Sequence, residues 1–202
     1  MKLYLIKFFV FFTVFCLNTS YANNFNVDYK VSTTGIKIGY FNWSLNINDD
    51  LYQTEINLKN SGMLSSLYKF NGKYLSSGVI ENGMFKTQEY EQFWQTKKKT
   101  KVVNMFFDDY LIELIQKPKE KEVARINLKE LYLYFDPITS FINILSGKNE
   151  AKTVDGRRIY TFKKIKDENE KIILKIEDYK NIWADHKRND LKKIKFFTEG
   201  DF

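Results

Sequence analysis

Along most of this chain apolar and polar residues alternate one for one. In "FNVDYKV", Phe25, Val27, Tyr29 and Val31 share one face with polar residues between them, the period-two mark of a half-buried strand. Beyond Gly35, "IKIGYFNWSLNI" resumes with Ile36, Ile38 and Tyr40, but its later half places Trp43, Leu45 and Ile47 in the opposite phase. A slip of one residue near Gly39–Phe41 predicts a β-bulge. Asn48-Asp49-Asp50 predicts a turn, and "YQTEINL" returns with Tyr52, Thr54, Ile56 and Leu58 on one face. In "MLSSLYKF" the positions Met63, Leu64, Leu67 and Tyr68 fall at helical spacing, so a short helix or turn is predicted there. Strands resume at "KYLSSGVI", "MFKTQEYEQFWQT", "KVVNMFFD" and "YLIELIQ", followed by a charged loop, "KPKEKE".

One segment breaks the alternation. "YFDPITSFINIL", residues 134–145, carries a single charge and stays apolar. Asp136 suits a helix N-cap, where its carboxylate accepts from an otherwise unpaired backbone N–H. Pro137 suits the first helical position, which needs no donor. Ile138, Phe141, Ile142 and Leu145 then fall at i, i+3, i+4 and i+7, one apolar stripe, and Ser146-Gly147 ends the helix. The preceding "LKELYLYF", residues 128–135, fits a helix by spacing and a strand by composition. After the helix, "TVDGRRIYTF" contains Asp155-Gly156, a strong hairpin-turn dipeptide. "KDENEK" is a second turn, leading to the strand "IILKIEDY", and "LKKIKFF" begins a last one. These elements predict a mainly β, single-domain fold. It is a curved antiparallel sheet or half-barrel with one short apolar helix, about 137–146, packed on its concave face.

The first 22 residues change the picture of where the chain works. Lys2 and Lys7 precede the apolar run Phe8 to Leu17, and Ser20 and Ala22 are the small residues a signal peptidase reads. Cleavage is expected after Ala22, leaving 23–202 as one exported domain in the periplasm. The apolar run is too short for a membrane span, which needs roughly 20 residues. Phe15 before Cys16 is too large for a lipoprotein cleavage site. Loss of the leader removes the only Cys, so no disulfide or thiol chemistry is expected. The leader's two lysines lower the formal net charge from +7 to +5. Only Arg125, Arg157, Arg158 and Arg188 are arginines, and the lysines are interleaved with acids. That pattern argues against nucleic acid as a partner.

Candidate chemistry is sparse. His186 is the only His, too little for a metal site or a Ser-His-Asp set, and neither G-x-S-x-G nor a Gly-rich phosphate loop occurs. Asp49-Asp50 and Asp108-Asp109 are read as turn residues. Lys97, Lys98, Lys99 and Lys101 flank a predicted hairpin tip near Phe93 and Trp94. They and the neighbours Arg157 and Arg158 are candidate contacts for anionic groups. A solvated tip is the simpler account of the lysines, and one internal ion pair the simpler account of the arginines.

Several of these motifs together resemble an uncharacterised family of bacterial exported proteins, domain of unknown function 3108. The matching pieces are "DYKVSTTGIKIG", "SGMLSSLYKFNGKYLSSG", the basic "KKKTK" before "FFDD", "DPITSFINIL" and "DGRRIYTF". The resemblance covers roughly residues 27 to 198. It rests most on Asp136, Pro137 and Ser140 of the helix start and on Asp155, Gly156 and Arg157 of the turn. It implies an envelope location and a β-rich fold, and supplies no activity. Members continue past a Gly-Asp like Gly200-Asp201 into a further strand, so a missing C-terminal strand is expected here.

The combined expectation is a non-enzymatic periplasmic or envelope protein with no cofactor and no metal. Ile138, Phe141, Ile142 and Leu145 are its candidate ligand contacts, for a lipid or a lipoprotein acyl chain held between sheet and helix. Asp136, Pro137, Asp155 and Gly156 are structural cap and turn residues. The alternative is an interaction or assembly protein of the envelope, acting on a partner protein through a basic patch or an exposed strand edge.

Overall fold

The computed structural model describes residues 22–33, 36–61, 65, 69–168 and 171–184. Residues 1–21 of the expected leader, the short helix expected around 63–68 apart from Ser65, His186 and the last strand expected at "LKKIKFF" lie outside the described residues.

Seven strands run in chain order through one antiparallel meander. They are β1 (Ala22–Thr33), β2 (Ile36–Asn48), β3 (Leu51–Asn60), β4 (Phe70–Glu81), β5 (Met84–Thr96), β6 (Thr100–Asp108) and β7 (Tyr110–Lys117). Local chemistry sets the turns. Asp49 joins β2 to β3 at φ 53°, Asn82-Gly83 joins β4 to β5 with φ of 52° and 71°, and Asp109 joins β6 to β7 at φ 56°. Asn, Asp and Gly tolerate this left-handed backbone. The phase slip in β2 is a register shift where Val31 pairs with Gly39 and Ser32 with Lys37. A second shift lies between Ser77 and Gly78, and there glycine is required. An added Cβ at Gly78 would sit 1.9 Å from the Lys86 carbonyl oxygen. Such bulges bend a strand and raise its twist, which helps curve the sheet without closing it into a barrel.

The remaining strands form a second sheet that the sequence pattern does not separate from the first. It comprises β8 (Glu150–Val154), β9 (Arg158–Glu168) and β10 (Lys171–Asn181), in the order β10-β9-β8. Residues 128–135 are neither a regular helix nor a strand. Leu128–Glu130 make one 3-10 turn, and Tyr132 and Phe135 make single bridges to Tyr110 and Thr153. With only two bridges to fix it, the ambiguous composition settles into an irregular crossing segment.

The helix, α1 (Pro137–Leu145), is clasped between the two sheets and touches β5, β8 and β9. Its expected apolar stripe is only part of its contact surface. Ile138 and Ile142 join the main core with Trp43, Tyr52, Phe85, Met105 and Leu111. Ile144 joins a smaller cluster with Ala151 and Leu174 of the second sheet. Thr139, Ser140 and Asn143 are buried as well: Thr139 and Asn143 face hydroxyls and backbone of the large sheet, and Ser140 faces the second sheet. Their polar groups are satisfied internally, as burial demands. Thr153 donates to Ser140 at 2.8 Å.

Asn143 extends the large sheet in place of a strand. β6 pairs with β5 only from Glu89 onward, so the first residues of β5 have no strand partner on that side. The Asn143 amide supplies one, donating to the Phe85 carbonyl at 2.8 Å and accepting from the Phe85 N–H at 2.9 Å. Asn143→Ala strands both buried backbone groups, each costing about 1–3 kcal/mol. Urea unfolding of this variant should show a loss of about 2–4 kcal/mol. A loss below about 1 kcal/mol would show that the amide is dispensable.

Candidate functional site

The site is built around the start of α1, and the start of α1 is built around Asp136. This carboxylate is fully buried and collects five donors. Its Oδ1 accepts from the backbone N–H of Ile138 at 2.8 Å and of Thr139 at 3.2 Å, which is the N-cap. Its Oδ2 accepts from Ser76 of β4 and Thr87 of β5, both at 2.7 Å, and from the Thr139 hydroxyl. Tyr52 of β3 completes the cluster with its hydroxyl 2.7 Å from Thr139 Oγ1. Burial pushes the Asp136 carboxyl above its ordinary range, while the Thr139, Thr87 and Ser76 hydroxyls pull it back down. Burial, followed by the charge on Asp136, pushes the Tyr52 hydroxyl well up, so Tyr52 stays a neutral donor. Immediately before Asp136, the Phe135 N–H donates to the Lys152 carbonyl and its carbonyl accepts from Val154 N–H, each at 2.9 Å. One residue therefore joins the large sheet by its side chain, next to a backbone joined to the small sheet.

Beside this anchored turn the two sheets do not meet. A cavity of about 500 Å³ opens between them. Phe41, Ile56, Leu58 and Tyr74 of β2, β3 and β4 form one wall, and Tyr90 and Gln92 of β5 form its floor. Pro137, Ile138 and Phe141 of α1 form a second wall. Tyr160, Phe162 and Leu174 of the small sheet, with Asp155, form the third. Phe141 is also held against Trp43, with ring centroids 5.8 Å apart. The volume falls in the range of small-molecule sites, about 300–1,000 Å³. A groove of about 180 Å³ lined by Gln53, Glu89, Glu91 and Asn104 is smaller and more polar.

Of the four candidate ligand contacts, Ile138 and Phe141 line the cavity. Ile142 is buried in the main core and Leu145 packs against that core. Asp136 and Pro137 are the cap and first residue of α1. Asp155-Gly156 opens the turn between β8 and β9, with Gly156 at φ 79°. Asp155 Oδ1 accepts from the N–H groups of Arg157 and Arg158 at 2.9 and 2.7 Å, and the Arg158 guanidinium lies 3.8 Å from Oδ2. Lys97, Lys98 and Lys99 are exposed at the β5–β6 tip, and the Lys101 ammonium sits 5.8 Å from the Trp94 ring centroid. The Asp155–Arg158 turn packs on Val103 of β6, two residues along the strand from Lys101. Among the described residues, no three His, Cys, Asp or Glu side chains converge as metal ligands. No helix among them is long and apolar enough to cross a membrane.

Sequence reasoning missed the hydroxyl cluster and most of the cavity wall. A signal for the former was present: Ser76 and Thr87 are small hydroxyl residues at inward strand positions, where a core needs a polar partner to justify them. Nothing in the alternation distinguishes inward residues that fill the core, such as Met105, from those that border a void, such as Leu58.

An open, curved seven-stranded sheet clasping a helix against a three-stranded sheet, with an apolar cavity at the junction, defines the class of protein. The chain belongs to the family described as Protein of unknown function (DUF3108), whose model matches residues 24–190. No curated protein and no solved structure matches the chain.

The Asp136 environment predicts a pH dependence whose sign follows from burial. A carboxyl whose folded pKa is raised contributes most stability below its unfolded value, about 4. It loses that contribution as pH rises through the folded value. Urea midpoints of the protein should therefore carry a falling component above about pH 4 that Asp136→Asn removes. Parallel pH profiles for the two proteins would contradict this assignment.

Proposed function

We propose that this protein is a non-enzymatic, exported protein of the bacterial periplasm that binds an apolar ligand, a lipid or lipoprotein acyl chain, in the cavity beside α1. The observation that carries this reading is the cavity itself, about 500 Å³ in volume and walled by Phe41, Ile56, Leu58, Phe141, Phe162 and Leu174. Apolar wall left against water forgoes about 25 cal/mol for each Å². A hydrocarbon chain restores that burial, at about 0.8 kcal/mol per buried methylene. The rigid helix start held by Asp136 keeps the wall in place before any ligand arrives, which limits the entropy lost on binding. The leader expected from the sequence of residues 1–22 supports the periplasmic location, where acyl chains need shielding from water.

A second reading, an envelope assembly protein, is favoured by a different observation. Tyr110, Ile112, Ile115 and Tyr132 are exposed beside β7, an outer strand of the large sheet among the described residues. The two readings separate on a neutral apolar probe, N-phenyl-1-naphthylamine. Its fluorescence should rise saturably with the protein. Ile56→Trp, which fills the cavity from β3, should weaken binding at least about 10-fold, some 1.4 kcal/mol, with an unchanged circular dichroism spectrum. Absence of saturable binding to the unaltered protein would reject the cavity reading and favour the assembly one.

A further inference from the structure

The turns of the large sheet sort its charge. An antiparallel meander sends alternate turns to opposite ends of the sheet. At one end stand Asp49, Asp50, Glu81, Asp108 and Asp109, all exposed, and Lys86 there is held by Glu81 and Asp109 at 2.7 and 2.9 Å. At the other end the β3–β4 connection carries exposed Lys59 and Lys69, and the β5–β6 tip carries exposed Lys97, Lys98 and Lys99. Neither residues 56–73 nor residues 92–107 contain an acid. Thr96 closes that tip. Its N–H donates to the Lys99 carbonyl at 2.8 Å, and its hydroxyl accepts from the Lys98 and Lys99 N–H groups at 3.3 and 3.1 Å. The lysine side chains are therefore presented by a fixed turn.

Part of the cavity wall lies at this basic end. Pairing runs across the sheet from Phe41 to Leu58, Gly72, Trp94 and Lys101 in turn, and residues paired in this way share a face. Two wall residues, Phe41 and Leu58, thus stand in one row with a tryptophan and a lysine. The Trp94 ring meets the Phe70 ring edge-on, with centroids 5.9 Å apart, and the Lys101 ammonium lies 5.8 Å from its centroid. At the other end of the row, Tyr29 pairs with Phe41 and is exposed. Lys99 is two residues along β6 from Lys101, about 7 Å by the rise of a strand.

We infer that this basic end docks on the surface of an anionic lipid bilayer, with the acidic end turned away from it. Charge alone suits any polyanion. The aromatic rings beside the lysines favour a bilayer, because Trp and Tyr settle at the headgroup level of a membrane while lysines attract its anionic headgroups. Docked in this way, the row of Phe41 and Leu58 stands close to the headgroups, where an apolar ligand is exchanged. The docking itself does not require that the cavity hold a lipid.

Co-sedimentation with vesicles tests the docking separately from cavity binding. The protein should sediment with vesicles of equal parts phosphatidylglycerol and phosphatidylcholine, and stay in solution with phosphatidylcholine alone. Salt at about 1 M, which shortens the screening length to about 3 Å, should release it. Lys98→Glu/Lys99→Glu should weaken the binding at least about 10-fold. Lys59→Glu/Lys69→Glu should do the same from the neighbouring turn, and serves if the first variant fails to fold. Lys129→Glu/Lys148→Glu makes the same change of charge at exposed lysines outside the meander, and should weaken binding less than about threefold. Three results would each overturn the inference. They are no sedimentation with the anionic vesicles, equal losses in the tip and control variants, and binding of soluble dextran sulfate as tightly as of the anionic vesicles. The cavity reading is tested apart from this by N-phenyl-1-naphthylamine, whose binding the tip variants should leave unchanged.

Discussion

Everything in this fold that is not sheet hangs on the carboxylate of Asp136. A helix of nine residues has little stability of its own, because nucleation is costly and few backbone bonds follow it. Here its first turn is fixed by donors from β4 and β5 and from its own first turn, with Tyr52 of β3 one hydrogen bond further out. The residue before it belongs to the small sheet through two backbone bonds. Asp136 is thus the joint where the two sheets are referred to one another. Its desolvation opposes ionisation, whereas the donor geometry favours an acceptor-only carboxylate. That balance is acceptable only because every lone-pair direction is used.

From that joint the two halves of the concavity differ. Toward β5–β7 the sheet is closed by Phe85, Met105, Phe107 and Leu111 against Leu131 and Ile142, a filled core. Toward β2–β4 the small sheet stands away, and Phe41, Leu58 and Tyr74 face a cavity. The filled half and the Asn143 bridge to Phe85 hold the helix, so the open half need not collapse. Packing energy in one half thereby keeps apolar surface available in the other. That is what a site for an apolar ligand requires and what a purely structural core avoids.

The strands, their turns and the capped helix were legible because each obeys a local rule. Period two marked β1 to β7, Asp-Gly marked the β8–β9 turn, and Asp136-Pro137 marked the helix start. The bulge near Gly39 announced itself as a phase slip. The division into two sheets was not legible, since no local pattern tells β8 to β10 that they pair with each other rather than extend the meander. Burial of Ser140 against Thr153 followed from that division and was hidden with it. Of the four ligand contacts expected from the helix stripe, Ile138 and Phe141 line the cavity, whereas Ile142 and Leu145 lie in or against the filled core, a distinction that helical spacing alone does not carry.

Native mass spectrometry of the protein purified from the periplasmic fraction of a bacterium expressing it, followed by solvent extraction, tests the cavity reading most directly. A non-covalent adduct of lipid-like mass, recovered in the organic phase and absent from Ile56→Trp, is the expected result. A folded protein that carries no such adduct, and gains none when incubated with envelope lipids, would contradict it.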